Sequence, residues 1–378
     1  MNHRAVNVYL DHAASTPIRR EVLEYMMPWL TDDYGNASSV HARGRRARNA
    51  VEQARETVAA LLSVEPDNVV FTSGGTEANN QVILSHVSAR ADAGLILSRV
   101  EHDAVLAPVL AAERRGHPVT WLSPDAHGGV APPAACAPGH MVSLMAVNNE
   151  TGVRNQDPGS GDGLYHSDAV QAAAWYDLGG LVSRCAYVTL SAHKLGGPKG
   201  VGAVVTGPGA ELHPLLRGGG QERDRRSGTE NVAAIAGFAR AFALVSEERD
   251  EISARVRSLR EHLWEGLADA LGDRIHRTTP SAPRKSAPHI LHTVFLDADG
   301  CGLDGEMLIL GLDMEGVQVS AGAACSSGSM KPSHVLMAIG MQPDIARGAV
   351  RFSLGRDTTI QDIEHTLSAV SRVARRMA

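Results

Sequence analysis

The sequence has little that would support a metal site, a disulfide framework or a membrane anchor. Its four cysteines, Cys136, Cys185, Cys301 and Cys325, form no CxxC pair, and closely paired cysteines are typical of zinc sites. No apolar run approaches the roughly 20 residues that span a bilayer, and the first fifteen residues hold no apolar segment typical of a signal peptide. We therefore expect a cytoplasmic protein without a metal site, in which any functional cysteine acts as a free thiol.

The charge and length narrow the class of protein further. The 378 residues carry a formal net charge of −6, which argues against a general function in coating nucleic acids. Apolar residues make up 43% and charged residues 21%, as in ordinary globular proteins. A chain of this length can bury a large core and is expected to form two domains. We expect neither nucleic acid nor a membrane to be a direct partner.

The first two thirds of the chain alternate between strand and helix patterns. The helix patterns have apolar residues near a 3.6 spacing, and the strands are short apolar runs. We predict strands at 68–72, 95–97, 141–147, 164–166, 187–191 and 201–205, and helices at 43–62, 77–87 and 102–115. Such alternation is typical of a doubly wound α/β domain with a mainly parallel sheet.

The rest of the chain predicts a smaller α+β unit. A long helical pattern covers 247–271, and strands in HILHTVFLDAD and VQVSAGAAC flank a helix at 305–311. A strand at 348–354 and a helix from Ile360 close the chain. We therefore predict a large domain over residues 16–245 and a small domain formed by residues 1–15 and 246–378.

The stretch TSGGTEANN, residues 72–80, follows an apolar strand and opens a helix. Gly74, Gly75 and Thr76 can present backbone N–H groups and a hydroxyl at the helix N-terminus, which favours an anion such as phosphate. The stretch lacks the GK[ST] of a P-loop, so a nucleotide triphosphate site is not predicted. A glycine turn with a threonine cap is an equally good interpretation of this stretch alone.

Polar residues follow the next strands in the same way. His102 stands where a strand gives way to a helix, Asn149 lies in VNNETG after another strand, and Asp168 and Gln171 lie in HSDAVQ after a third. Ligands of open α/β sheets bind at the carboxyl ends of strands. Taken singly, a capping or core histidine, an asparagine turn and an N-cap aspartate remain good interpretations.

The stretch LSAHKLGGPKG, residues 190–200, places Ser191, His193 and Lys194 after one more strand. Together these clusters bring a phosphate cradle, an imidazole, an amide, an acid and a lysine to successive strand ends. A Schiff-base lysine, an acid for a ring nitrogen and a helix N-terminus for a phosphate are what pyridoxal phosphate requires. The sequence thus favours a pyridoxal phosphate site.

With these motifs in order, the sequence resembles cysteine desulfurases of the NifS/IscS type, in the class V aminotransferase-like group of fold-type I pyridoxal phosphate enzymes. The resemblance covers essentially the whole chain. It rests on YLDHAASTP, YGNASSVH, TSGGTEANN, VEHDAV, VNNETG, DAVQ, SAHKLGGPKG, GGGQERDRRSGTEN, AACSSGS and VRFSLGRDTT. It implies an α/β large domain with a mainly parallel seven-stranded sheet and a smaller α+β domain.

The resemblance also implies roles around the cofactor ring. Lys194 would form the Schiff base and remove the substrate's α-proton, and Asp168 would pair with the pyridine nitrogen. His102 would stack on the ring and assist proton transfer, and Gln171 would bond the phenolic oxygen. Asn149 would lie against both cofactor and substrate.

Phosphate and substrate binding are implied in the same way. Arg351, with Asn149, would hold the substrate carboxylate, a bidentate task that suits a guanidinium group. Thr229, in RSGTEN, would reach the phosphate in the neighbouring subunit of a homodimer. Within one chain, the phosphate would be bound by Gly75, Thr76, Ser191 and His193.

The resemblance places the persulfide-forming cysteine at Cys325, in SAGAACSSGSMKPSH. Small flanking residues favour a mobile loop, which suits a thiol that takes sulfur from L-cysteine and passes it to an acceptor protein. Cys301, in DADGCGLDG, is the competing candidate because it also has glycine neighbours. The loop reads AACSSGS rather than the commoner SACTSxS, a conservative change.

Other functions remain open from the sequence. A selenocysteine lyase, or another class V lyase or transaminase, would keep the cofactor, and a non-catalytic scaffold would not need the full residue set. The sulfur acceptor could serve iron–sulfur cluster assembly, tRNA thiolation or DNA phosphorothioation. The segments 131–140 and 154–163 are shorter than in typical relatives, which points to different surface partners.

Overall fold

A computed structural model describes residues 7–90, 92–158, 163–207, 209–321 and 332–377. Its strands are β1 Val8–Tyr9, β2 Val69–Thr72, β3 Leu95–Ser98, β4 Val119–Leu122, β5 Met141–Ser143, β6 Leu164–Asp168, β7 Tyr187–Ser191, β8 Gly202–Thr206, β9 Ile275–Arg277, β10 Ile290–Phe295, β11 Val317–Gln318 and β12 Ala349–Ser353. Its helices are α1 Arg20–Thr31, α2 Ala42–Leu62, α3 Gly75–Ala89, α4 Asp103–Glu113, α5 Gly179–Val182, α6 Val232–Leu271, α7 Gly305–Met314, α8 His334–Ala338, α9 Pro343–Ala346 and α10 Ile360–Met377. None of the described helices is long and apolar enough to cross a membrane.

The central element is a seven-stranded sheet in the order β2-β8-β7-β6-β5-β3-β4. Strand β8 is antiparallel to both neighbours, and the remaining pairs are parallel. The carboxyl ends of β3, β5, β6 and β7 therefore meet at one edge, where open α/β sheets bind ligands. The predicted fold class, a mainly parallel seven-stranded sheet with a smaller α+β unit, is confirmed.

The smaller unit contains a three-stranded antiparallel sheet in the order β12-β10-β9 and a parallel pair, β1 with β11. Val8 and Leu10 share a hydrophobic core with apolar residues of β10, β12 and α10. The first described residues thus pack with the C-terminal third of the chain. The division at residue 245 stays a prediction, because α6 runs without a break across it.

Helix α6 begins at Val232, earlier than the predicted start at residue 247. Its first three turns are rich in alanine and glycine, so the sequence lacks the polar and apolar alternation that marks a surface helix. The structure explains this composition, because α6 packs closely against α1 and α2. A Cβ atom at Gly237 would lie 2.6 Å from the Met26 sulfur.

Other elements also differ from the prediction, and strands β4 and β9 and the short helices α5, α8 and α9 were not predicted at all. The strand predicted over 141–147 is only Met141–Ser143, and within the described part of 317–325 only Val317–Gln318 is a strand. Helix α1 was not predicted, and Pro28 interrupts its pattern. The described parts of 131–140 and 154–163 contain no helix and no named strand.

A buried ion pair joins α2 to the segment before α6. Arg55 and Glu222 are 3% and 7% exposed, and two N–H···O bonds of 2.8 Å join them. Glu222 also accepts from the Phe71 amide at 2.9 Å, and Arg55 donates to the Val69 carbonyl at 2.6 Å. The pair therefore fixes the edge strand β2 against α2.

We expect Glu222→Ala to lower the free energy of unfolding by about 3 kcal/mol, because it leaves the buried Arg55 guanidinium with only the exposed Glu52 carboxylate as a counter-charge. Urea denaturation measures this loss. Glu24→Ala, which breaks the exposed Arg20–Glu24 pair, is the matched control and should change little. An equal effect of the two variants would contradict the role assigned to the buried pair.

Candidate active site

The predicted site residues surround a cavity of about 900 Å³ at the carboxyl edge of the sheet. Thr229 is exposed and does not line this cavity within one chain, and Cys325 lies outside the described residues. A second cavity of about 630 Å³ shares only Lys194 with the predicted set. The predicted residues that line the larger cavity are Gly75, Thr76, His102, Asn149, Asp168, Gln171, Ser191, His193, Lys194 and Arg351.

Lys194 lies in the short 3-10 turn after β7. Its Nζ donates to the carbonyl oxygens of Ala13 and Ala14, the latter at 2.6 Å. Burial, assisted by the charge of Arg351, lowers the pKa of Lys194 from 10.5 to about 8. A substantial fraction of this amine is therefore neutral near pH 8, as a nucleophile or a base requires.

Asp168 ends β6 and is held at both carboxylate oxygens. Oδ1 accepts from the Val170 amide at 2.9 Å, and Oδ2 accepts from Asn79 Nδ2 at 2.7 Å. Asn79 is itself fixed, because its Oδ1 accepts from Thr189 Oγ1 at 2.6 Å. Asp168 thus caps a local turn and also lines the cavity, so the two interpretations of this residue are compatible.

The anion cradle forms where α3 begins at Gly75. Gly74 has φ 152°, and a Cβ at Gly202 would lie 2.7 Å from the Gly74 carbonyl carbon. Glycine at 202 therefore lets β8 approach the turn that carries the α3 N-terminus. Burial and the charges of Lys194 and Lys199 lower the pKa of His193 to about 4, so its ring is neutral.

His102 is the N-cap of α4 and also lines the cavity. Its Nδ1 accepts from the Ala104 amide at 3.0 Å. This bond orients the ring at the start of the helix, so capping and a place beside a ligand are again compatible.

Arg351 projects from β12 and is 3% exposed. Its Nη1 donates to the Asn149 carbonyl at 2.7 Å, and its Nη2 donates to Asp11 Oδ1 at 2.7 Å. Asp11 lies in the quoted motif YLDHAASTP, but its pairing with a residue 340 positions away could not be predicted from that motif.

Two buried glutamates near the cavity were also missed. Glu101 accepts from the Met145 amide at 2.8 Å, and burial raises its pKa well above the usual range. Glu150 accepts from the Ser333 hydroxyl, and burial likewise raises its pKa. Glu101 directly precedes His102, and Glu150 directly follows Asn149. Sequence spacing alone does not distinguish a buried glutamate from one at the surface.

The residues present fit pyridoxal phosphate. The helix N-terminus at Gly75 and the buried Ser191 hydroxyl suit the phosphate, and the fixed Asp168 carboxylate suits a protonated ring nitrogen. The Lys194 amine, with its lowered pKa, suits the aldehyde. These groups come from α3, β6, β7 and the turn after β7. The cavity is large enough for a cofactor together with a small substrate.

Comparisons with known proteins agree with this geometry. The family described as Aminotransferase class-V matches residues 8–366. The cysteine desulfurase IscS of Dictyoglomus turgidum is 38% identical, over 98% of this chain and 95% of that protein. A solved NifS-like protein superposes with a TM-score of 0.86 at 32% identity, covering 98% of this chain and 100% of that one. A solved SspA in complex with cysteine has a TM-score of 0.77 at 31% identity, covering 92% and 99%.

Proposed function

The chain belongs to the aminotransferase class-V family and is a pyridoxal-phosphate-dependent cysteine desulfurase, and we propose that Lys194, Asp168 and Arg351 carry this activity. The observation that supports these roles is their convergence in one cavity, with the pKa of Lys194 lowered to about 8. The names of the relatives do not favour a selenocysteine lyase, a transaminase or a scaffold.

When bound, pyridoxal phosphate supplies an aldehyde for a Schiff base and an electron-withdrawing ring. Asp168 would hold the proton on the ring nitrogen, and Lys194 would remove the α-proton of the substrate. Arg351 would receive the substrate carboxylate, with Asn149 beside it. The phosphate would be held by Gly75, Thr76, Ser191 and His193, and by Thr229 of the neighbouring subunit.

Cys325 would take the sulfur. Its thiolate attacks the sulfur of bound L-cysteine, and an S–S bond forms as the substrate C–S bond breaks. The carbon keeps the electron pair and gains a proton, which gives L-alanine and a persulfide on Cys325. The described cysteines support this choice, since Cys136, Cys185 and Cys301 do not line the cavity. Burial also raises the pKa of Cys136, and that of Cys185 to about 12, which makes both poor nucleophiles.

Alanine release tests the function. The purified protein, loaded with pyridoxal phosphate and given L-cysteine and a thiol reductant, should produce equal amounts of L-alanine and sulfide. Alanine from L-selenocysteine with none from L-cysteine would replace the proposal by a lyase specific for selenium. Pyruvate in place of alanine would contradict the desulfurase chemistry.

The lowered pKa of Lys194 predicts a pH dependence for cofactor capture. Only the neutral amine attacks the aldehyde, so the capture rate of the apoprotein should rise about tenfold per pH unit below the Lys194 pKa. The rate should level off above pH 8. Stopped-flow absorbance at several pH values measures it. A rate that still climbs steeply above about pH 9 would indicate an ordinary lysine.

Binding of the substrate carboxylate should depend on the two parallel hydrogen bonds that the Arg351 guanidinium group can donate. We expect Arg351→Lys to raise KM for L-cysteine by roughly 10- to 100-fold, with a smaller change in kcat, because lysine cannot make the two parallel bonds. Arg347→Lys is the matched control, since Arg347 lines the same cavity but donates to the Gly302 carbonyl. Equal KM values for the two variants would place the carboxylate elsewhere.

In this proposal the protein is a cytoplasmic homodimer that passes sulfur to an acceptor protein. Several large apolar side chains of α1 and the following segment are exposed in the single chain, which supports a covered surface: Leu23, Tyr25, Met27, Leu30, Tyr34 and Val40. Light scattering measures the oligomeric state. A monomer would contradict the proposal that Thr229 binds the phosphate in the neighbouring subunit.

A further inference from the structure

His289 is a buried histidine beside the cavity to which no role has yet been assigned. It lies just before β10, is 1% exposed, and stacks on Trp175 with ring centroids 4.4 Å apart and planes 11° from parallel. Its Nε2 lies 3.3 Å from Oε1 of Gln171, which lines the cavity. The ring is thus packed on one face and bonded at its edge to a residue of the proposed site.

The proton on His289 follows from its neighbours. The Ala13 carbonyl can only accept, so the atom of Gln171 that faces it at 2.7 Å is the amide nitrogen. The Gln171 oxygen therefore faces His289, and Nε2 of the ring must carry the proton and donate it. Nδ1 has no hydrogen-bond partner in the described part of the chain, which agrees with a single N–H on Nε2.

The surroundings keep this ring neutral. Burial lowers the pKa of His289 well below its usual range, and the positive charges of Arg260, Arg351 and Lys194, with His12, act in the same direction. A neutral ring with its proton on Nε2 is a fixed donor, so Gln171 is held at both ends of its amide.

We propose that His289 is a positioning residue that orients the Gln171 amide with its nitrogen towards the cofactor. This inference rests on the proposed function. One N–H of Gln171 is used by Ala13, and the second is left to donate to the phenolic oxygen of bound pyridoxal phosphate. In the reverse orientation, the amide oxygen would face the phenolate, and two acceptors would oppose each other.

The Ala13 carbonyl does not secure this orientation alone. Lys194 Nζ donates to the same oxygen, so Ala13 is shared between the lysine and the glutamine. His289 donates to Gln171 only, and Trp175 holds its ring in place. The histidine therefore adds a second contact, at the oxygen end of the amide, to the one that Ala13 makes at the nitrogen end.

The test uses the holoprotein and the visible absorbance of its cofactor. His289→Phe keeps a ring to stack on Trp175 and removes the donor, whereas His289→Gln restores an N–H near the position of Nε2. A phenolate that loses a donor holds its neighbouring imine proton more tightly. We expect His289→Phe to raise the pKa at which the visible absorbance of the cofactor changes by about half a unit. The same variant should weaken cofactor binding roughly 3- to 10-fold.

Two comparisons separate this role from a merely structural one. The visible absorbance of His289→Gln should change with nearly the native pKa. In a protein that already carries Gln171→Ala, His289→Phe should cause no further change in that pKa. An unchanged band in His289→Phe, or a shift of equal size in the Gln171→Ala background, would overturn the inference. The matched control is His292→Phe in the following strand β10, because the His292 ring bonds to the Thr278 hydroxyl and not to Gln171.

Should His289→Phe not fold, Gln171→Glu tests the same point. Its carboxylate accepts from His289 and presents an acceptor to the cofactor. The pKa of the visible absorbance should therefore be higher than in Gln171→Ala. A smaller shift would overturn the inference. A native protein without any visible band would overturn the proposed function, and the inference with it.

Discussion

Replacing Lys194 by alanine is expected to reduce alanine release from L-cysteine by roughly 10⁴-fold or more. The residue would supply both the amine that binds the cofactor and the base that removes the α-proton. Its amine has a pKa of about 8, and no other lysine in the part of the chain that the structure describes lines the cavity. The measurement is the rate of alanine formation together with the visible absorbance of the cofactor.

Lys199→Ala is the matched control for this variant. Lys199 belongs to the same motif, is exposed and does not line the cavity. It should retain native activity and native colour. More than about 1% of native activity in Lys194→Ala would contradict the account, because that residual rate is too high for an enzyme without its Schiff-base lysine.

Cys325→Ser is expected to lower steady-state alanine release about 100-fold or more while the visible absorbance stays native. A serine hydroxyl is not ionised near neutral pH and does not attack the substrate sulfur as a thiolate does. Because the variant leaves the described residues that line the cavity intact, cofactor binding should be unchanged. The loss should therefore appear in kcat and not in the spectrum.

Cys301→Ser provides the control for the thiol. Cys301 is exposed and competes with Cys325 on sequence grounds, but it does not line the cavity. We expect it to keep native activity. Full activity in Cys325→Ser would remove this residue from the mechanism and would favour Cys301 or a lyase that needs no thiol.

Much of the cavity could be predicted because its residues follow strands. Ser191, Lys194 and Asp168 stand directly after apolar runs, and parallel topology brings such positions to one edge. The glycine-rich start of α3 was visible for the same reason. The residues that complete the set, Thr229 and Cys325, were predicted from resemblance and not from position.

The remainder depends on contacts that sequence spacing does not encode. Asn79 was inside a quoted motif, yet its bond to Asp168 joins residues 89 positions apart. The orientation of Gln171 by His289 spans 118 positions. The lowered pKa of Lys194 arises from burial and from Arg351, and burial of a lysine cannot be deduced from its neighbours in the chain.

The most direct test of the account is a single turnover with L-cysteine in the absence of reductant. Alanine would be quantified, and the peptides that contain Cys301 and Cys325 would be analysed by mass spectrometry for added sulfur. The persulfide mechanism predicts one alanine per active site, matched by one sulfur atom on Cys325 and none on Cys301. Alanine with free sulfide and an unmodified Cys325, or sulfur found only on Cys301, would contradict it.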